Sequence, residues 1–277
     1  MARILLAGCG AIGTQLGEAL QADGHEVFGL RRSAVTLPFP TLQWDLTQPL
    51  PNGLLPEQLD YVVHTGTPSE RSDAGYEAGY PKALQHLLDA LTPSLKRLFF
   101  VSSTAVYHQN DGSWVSEASP AQPERFNGIR VLEAEQRLEQ SAIPGTSVRF
   151  GGIYGNGRHW LIRRVQAGAE VQSTPPKYTN RIHQDDCVGV LHFLINQNEN
   201  GIPLQPVYLA VDNDPADETT VCSWLAHRLG APTPVEHTAS TDAAQNKRCS
   251  NQQLQKLGYR FIYPSFREGY EPVCSSL

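Results

Sequence analysis

Residues 3–32 constrain the fold more than any other stretch. Arg3-Ile4-Leu5-Leu6-Ala7 is a short apolar run that reads as a buried strand. Gly8-Cys9-Gly10-Ala11-Ile12-Gly13 follows without a gap. Ile12, Leu16 and Leu20 then recur at spacing four, with Ala19 beside them, as one face of a helix that Gly24 stops. His25 to Leu30 reads as a second strand and ends in Arg31-Arg32. In such a strand–turn–helix, backbone N–H groups and the helix N-terminus meet a pyrophosphate. Gly8, Gly10, Ala11, Ile12 and Gly13 are the candidate contacts. About 20 residues further on, an acid would bond a ribose 2′-hydroxyl and an arginine suits a 2′-phosphate. Arg31 and Arg32 therefore point to NADP(H) ahead of NAD(H), or else they are a solvated strand end.

Strands and helices go on alternating, which predicts an α/β fold with a doubly wound parallel sheet of Rossmann type. Thr41–Trp44, Tyr61–His64, Leu98–Val101 and Thr146–Phe150 read as further strands. Leu84, Leu87, Leu88 and Leu91 predict a helix over 82–91 with Pro81 at its start, where a missing N–H costs least. Val131, Leu132, Ala134 and Leu138 predict another over 124–140. Beyond Gly151 the pattern loosens. Residues 151–157 read as a glycine-rich loop, and 172–180 and 231–248 as polar loops. The expected division is a nucleotide-binding domain over 1–150 and a small C-terminal substrate lobe over 151–277. Segments of about 182–211 would return to the first sheet.

Composition narrows the partners. The net charge of −6 leaves no broad basic face for nucleic acid. No apolar run approaches the ~20 residues needed to span a bilayer. The five cysteines are dispersed, without a C-x-x-C pair, which favours free thiols in a reducing cytoplasm and argues against a structural metal. The expected partner is a small-molecule substrate.

Ligands of a doubly wound sheet lie beyond the carboxyl ends of its strands. Asp45, with Leu46, follows the third strand; it could accept from an adenine amino group or cap a turn. His64, Thr65 and Gly66 end the fourth, where small residues would let the backbone approach a cofactor. Ser103 and Thr104 end the fifth, where hydroxyls could hold a substrate oxygen or cap the strand. Asn180-Arg181 could meet a phosphate or carboxylate, or be an ordinary surface loop. Asn246-Lys247-Arg248 could bind an anion or precede a helix cap.

In order along the chain stand Gly8–Gly13, Trp44-Asp45-Leu46, Val101–Tyr107, Arg149–Gly155 and Arg181–Asp186. This set resembles the extended or atypical short-chain dehydrogenase/reductases, the NAD(P)-dependent epimerase/dehydratases of nucleotide sugars. The resemblance implies a tightly held NAD(P), a catalytic serine at Ser103 and a diphosphate-facing loop around Asn180-Arg181. By analogy with the family it also allows a homodimer through the helices near Pro81 and Glu124. The family's chemistry rests on Tyr-x-x-x-Lys. The matching stretch here is Phe126-Asn127-Gly128-Ile129-Arg130. Phe126 has no proton to give, and Arg130 could bond the nicotinamide ribose but cannot titrate. The family's helix asparagine is matched by Tyr80, the best remaining phenol for proton transfer, with Tyr107 and Tyr154 read as packing residues. General acid–base catalysis is typically worth about 10²–10⁴ in rate. Two expectations follow: an enzyme that transfers hydride on a small or sugar-nucleotide-like substrate with a displaced acid/base, or a non-catalytic NADP(H)-binding sensor.

Overall fold

The computed structural model describes residues 1–238 and 245–275; of the stretch read as a loop over 231–248, residues 239–244 lie outside the described residues. The strands are β1 (Arg3–Ala7), β2 (Glu26–Arg31), β3 (Thr41–Gln43), β4 (Tyr61–His64), β5 (Arg97–Ser103), β6 (Trp114–Val115), β7 (Gly145–Phe150), β8 (Gly152–Tyr154), β9 (Glu170–Thr174), β10 (Arg181–His183), β11 (Val207–Ala210), β12 (Val235–Thr238) and β13 (Arg248–Cys249). The helices are α1 (Ala11–Ala22), α2 (Asp73–Glu77), α3 (Ala83–Ala90), α4 (Phe126–Gln140), α5 (Trp160–Gln166), α6 (Gln184–Glu199), α7 (Glu218–Leu229), α8 (Gln252–Leu257) and α9 (Phe266–Ser275).

Seven strands form one parallel sheet in the order β3-β2-β1-β4-β5-β7-β11. Ile4 of β1 stands between Val27 of β2 and Tyr61 of β4. The chain builds outward from β1 to β3, then returns to the other side of β1 for β4. That reversal is the switch point beside which such sheets bind ligands. All four residues of β4 and the last four of β1 are buried, as expected when helices cover both faces. The predicted doubly wound fold of Rossmann type is the observed one.

The chain forms two compact units. The first comprises residues 1–106, 121–149 and 188–208; the second comprises 107–120, 150–187 and 209 onward. Residues 107–120, which the sequence reading places in the nucleotide-binding domain, group with the second unit, and the returning segment begins at 188. Leu5, Leu6, Leu16, Leu20, Val62, Leu84, Leu87, Phe99 and Leu194 are fully buried in the first unit. Burying each such side chain is worth roughly 1.5–3 kcal/mol. The core of the second unit gathers Ile162, Val165, Val171, Val221, Leu225, Phe266 and Val273. Its strands pair as three short parallel ladders, β8–β10, β9–β12 and β6–β13.

Several local readings are corrected. The stretches read as loops over 172–180 and 231–248 take in the end of β9 and all of β12, which pair with each other. The glycine-rich stretch 151–157 is not all loop, because β8 lies in it and pairs with β10 through Ile153 and Ile182. Three residues are too few to show a period, and the partner strand is remote in sequence. Nor does Pro81 begin a helix. Helix α2 passes through a π turn at Ala78–Lys82 into α3, so Pro81 sits inside a continuous helical path. The wider turn accommodates a ring that has no N–H to give.

Candidate functional site

The glycine turn joins β1 to α1, and its glycines have distinct reasons. Gly8 has φ +108°, and a Cβ there would run into the backbone of Gly66. At Gly13 a Cβ would stand 2.6 Å from the Gly8 carbonyl oxygen, so α1 can start this close to β1 only without a side chain. A Cβ on Gly10 would meet no protein atom within 4 Å. Packing therefore does not require glycine at position 10, whereas an approaching ligand would. Gly10 also offers α1 no capping side chain, and the first turn, with Ala11 and Ile12, carries no acid. The N–H groups at that end are open to an anion.

The surrounding strand ends hold this turn in place. Thr65 donates its hydroxyl to the Gly8 carbonyl and its N–H to the Ala7 carbonyl, at 2.9 Å for the latter. Arg31, at the end of β2, donates Nη1 to the Cys9 carbonyl at 3.1 Å. Its Nε is buried with no hydrogen-bond partner among the described residues. Arg32 beside it is exposed. Asp45 caps its own turn: Oδ1 accepts from the N–H and hydroxyl of Thr47 at 3.0 and 2.9 Å. Leu46 presents its carbonyl to the His86 ring at 2.9 Å. The His64 ring is fully buried against Phe100, and burial pushes it down to about 4, so it stays neutral.

At the end of β5, Ser103 Oγ accepts from the Ala105 N–H at 3.1 Å, and Thr104 opens a 3₁₀ turn through Val106. Helix α4 begins against this turn; a Cβ on Gly128 would collide with the Ala105 carbonyl. Phe126 is 39% exposed and meets Tyr76 edge to face, with centroids 5.4 Å apart. Arg130 does not present a free guanidinium. It forms a two-pronged pair with Asp73 at 2.7 and 2.9 Å and a second contact with Glu133 at 3.0 Å. Tyr80 is pushed up to about 12 by burial and by its neighbour Tyr76, the opposite direction from a phenol poised to act as a base.

Under these elements lies a buried group that the sequence reading missed. Glu135 of α4 accepts from Ser102 Oγ at 2.5 Å and from Arg149 Nε and Nη2 at 2.9 and 2.5 Å. All three residues are buried. A signal was present: Glu135 lies on the same helix face as Val131, Ala134 and Leu138, where a charge needs a buried partner.

The second unit corrects the expected substrate contacts. Asn180 donates to the Lys247 carbonyl at 2.8 Å and accepts from the Cys249 N–H at 2.6 Å, so its amide stitches two segments together. Arg181 is buried. Its donors reach the carbonyls of Asp214, Thr179 and Ala216, and its guanidinium lies over the Phe266 ring. Neither is available to a phosphate. Lys247 is buried on the Tyr107 carbonyl, Asn246 bonds Tyr178 and Pro176, and Arg248 donates to the Gly112 carbonyl. That basic run is internal stitching. Tyr107 donates to the Ser116 carbonyl at 2.9 Å, and Tyr154 is buried against Tyr270. Among the described residues, no group of three His, Cys, Asp or Glu could hold a metal, and no helix is long and apolar enough to cross a membrane.

The chain is similar to known proteins over most of its length. The sequence profile of the NAD dependent epimerase/dehydratase family matches residues 4–207. Protein YeeZ of Escherichia coli K12 is 28% identical over 95% of this chain and 97% of its own length. A solved structure from Methylobacillus flagellatus, provisionally named an NAD-dependent epimerase/dehydratase, is 35% identical with a TM-score of 0.81, covering 99% of this chain and 98% of its own. The human epimerase family protein SDR39U1, solved with NADPH, shares the fold at 19% identity and TM-score 0.78, over 99% of this chain and all of its own. With a glycine turn at its switch point and a profile match over most of its length, this chain belongs to the NAD-dependent epimerase/dehydratase family.

Proposed function

We propose that this chain binds NADP(H) at the β1–α1 turn and acts as an oxidoreductase or epimerase/dehydratase on a small or sugar-nucleotide-like substrate. Arg31 carries the reading. It is anchored on the Cys9 carbonyl of the turn, with a buried donor that no described residue satisfies. A buried donor without a partner costs about 1–3 kcal/mol, which an incoming 2′-phosphate would relieve. Arg32 adds an exposed cation. The uncapped start of α1 and the clear space over Gly10 fit the pyrophosphate. One carboxylate oxygen of Asp45 remains for the adenine amino group, and the ends of β4 and β5 would flank the remainder. The human family member solved with NADPH supports the choice by analogy.

NADP(H) supplies hydride transfer when bound. Ser103 would orient the substrate: its Oγ already accepts from the Ala105 N–H, so its own proton is free for a substrate oxygen. The test is calorimetric titration of cofactor-free protein with NADPH and, separately, NADH. Micromolar or tighter binding with preference for NADPH is expected; binding of neither overturns the reading.

A second reading, a non-catalytic NADP(H) sensor, is favoured by one cluster of observations. Phe126 lacks a hydroxyl, Arg130 is held by two carboxylates and Tyr80 stays protonated. Such a protein should change oligomeric state or shape with NADPH, and an unchanged sedimentation profile would count against it.

A further inference from the structure

The proton that Phe126 cannot move needs a carrier near the start of α4. The first unit holds four tyrosines: Tyr61, Tyr76, Tyr80 and Tyr208. Tyr61 donates to Glu199 at 2.7 Å, and the hydroxyl of Tyr208 accepts from the Gln205 N–H. Tyr80 is half-buried, with its ring against Phe100 and Tyr76. Tyr76 is half-buried too, its hydroxyl has no hydrogen-bond partner among the described residues, and it is set apart by its ring, which meets Phe126 edge to face at the start of α4.

The local architecture fixes Tyr76 from two sides. On one side, α2 and the π turn lie tight against the segment that leaves β4. A Cβ on Gly75 would stand 2.6 Å from the Glu70 carbonyl oxygen, and one on Gly79 would stand 2.8 Å from Pro68 Cα. On the other side, the two-pronged Arg130–Asp73 pair fastens α2 to α4. Asp73 lies one turn before Tyr76, so the pair holds the very turn that carries the phenol. Arg130 occupies the motif position at which the family's lysine supports a tyrosine on its own helix. Here it instead grips the neighbouring helix, and that helix brings a tyrosine onto the ring of Phe126. The start of α4 in turn abuts the Ser103–Val106 turn.

We propose that Tyr76 is the proton-transfer group of this chain, displaced from α4 to α2, and that Arg130 is a positioning residue that holds it there through Asp73. This rests on the reading of the chain as an NADP(H)-dependent enzyme. In the reducing direction, the substrate carbonyl carbon receives hydride from NADPH, which is oxidised. The carbonyl oxygen takes the proton from Tyr76 Oη, and the phenolate is reprotonated from water. The product is an alcohol. In the oxidising direction, the phenolate takes the alcohol proton while hydride leaves to NADP⁺.

The test needs no substrate. The protein is labelled with tyrosine carrying ¹³C at Cζ, and the signal missing in Tyr76→Phe identifies Tyr76. That signal is followed against pH alone, with NADP⁺, and with 2′-phospho-ADP-ribose, which lacks the nicotinamide. The charged groups on the elements that carry and clamp the phenol are Asp73 and Glu77 on its own helix, Arg130 and Glu133 on α4, and Lys82 of the π turn, which pairs with Glu77; the Tyr80 ring lies 5.5 Å from the Tyr76 ring. These are the same in all three samples. A nicotinamide cation close to the phenol should lower the titration midpoint by about one pH unit or more. The fragment should leave it unmoved, and Asp73→Asn, which loosens the clamp, should shrink the NADP⁺ effect. An unmoved midpoint with NADP⁺ bound, or equal movement with both ligands, overturns the proposal. Calorimetry on the same samples separates the two failures: absence of NADP⁺ binding refutes the parent reading, and binding without the shift refutes the role of Tyr76.

Discussion

Glu135→Ala would leave the Arg149 guanidinium charged, buried and without its carboxylate, which makes it a sharp test of how α4 is held. The wild-type carboxylate receives three donors, two from Arg149 and one from Ser102, at 2.5–2.9 Å. Exposure is 7% for Glu135 and 5% for Arg149, so water cannot readily take over. Removing one partner of such a pair typically costs about 3–5 kcal/mol. For a domain of this size each kcal/mol lowers Tm by roughly 2–4 °C. Urea unfolding followed by circular dichroism should therefore show a loss of about 3–5 kcal/mol for Glu135→Ala. The double variant Glu135→Leu with Arg149→Met removes both charges and should lie within about 2 kcal/mol of wild type, because the cost lies in the orphaned charge rather than in the absent attraction. A loss below about 1 kcal/mol in the single variant, or a double variant no better than the single one, would refute the reasoning.

Two other perturbations separate effects that a sequence comparison would merge. Gly8→Ala meets both a φ of +108° and the Gly66 backbone, so it should lower Tm and NADPH affinity together. Gly10→Ala meets no protein atom, so thermal melts should move by less than about 0.5 kcal/mol while calorimetry shows weakened NADPH binding. Burial pushes Asp212 up to about 7, above its ordinary value of 3.8. Its contribution to stability is fully present below about pH 4 and is lost as pH rises to about 7, at up to about 1.4 kcal/mol per pH unit. Burial of His64 acts in the opposite sense: its contribution is present above pH 6.5 and is lost as pH falls towards about 4. Asp212→Asn should therefore make the stability of the protein rise more steeply with pH between 4 and 7 in denaturant titrations, and an unchanged slope would contradict the assignment.

The nucleotide-binding half was legible because its signals are local. Apolar strands, a glycine turn and a spacing-four helix occupy contiguous residues, and their alternation implies a parallel sheet. The remainder depended on facts that a sequence does not carry. Asn180 and Arg181 are polar residues next to a motif, and nothing in their spacing says that their donors turn inward to carbonyls of remote segments. The three residues of β8 show no period, and the strand exists only through β10. Pro81 reads as a helix start because a π turn that absorbs it leaves no mark in the residue pattern. Tyr76 lies outside the motif helix, and the Arg130–Asp73 contact that brings it there links elements far apart in the chain. Glu135 could have been found, as a charge on an otherwise apolar helix face.

The most direct test of the central claim compares NADPH and NADH binding to the wild type and to Arg31→Ala by calorimetry. A charge-assisted contact to a 2′-phosphate is worth about 1.5–3 kcal/mol, so the variant should lose roughly 10- to 100-fold in NADPH affinity. NADH lacks that phosphate and serves as the control for damage to the Cys9 carbonyl contact, so its affinity should change by less than about threefold. Equal loss for both cofactors, or no loss for either, would contradict the account of Arg31 as the residue that selects NADP(H).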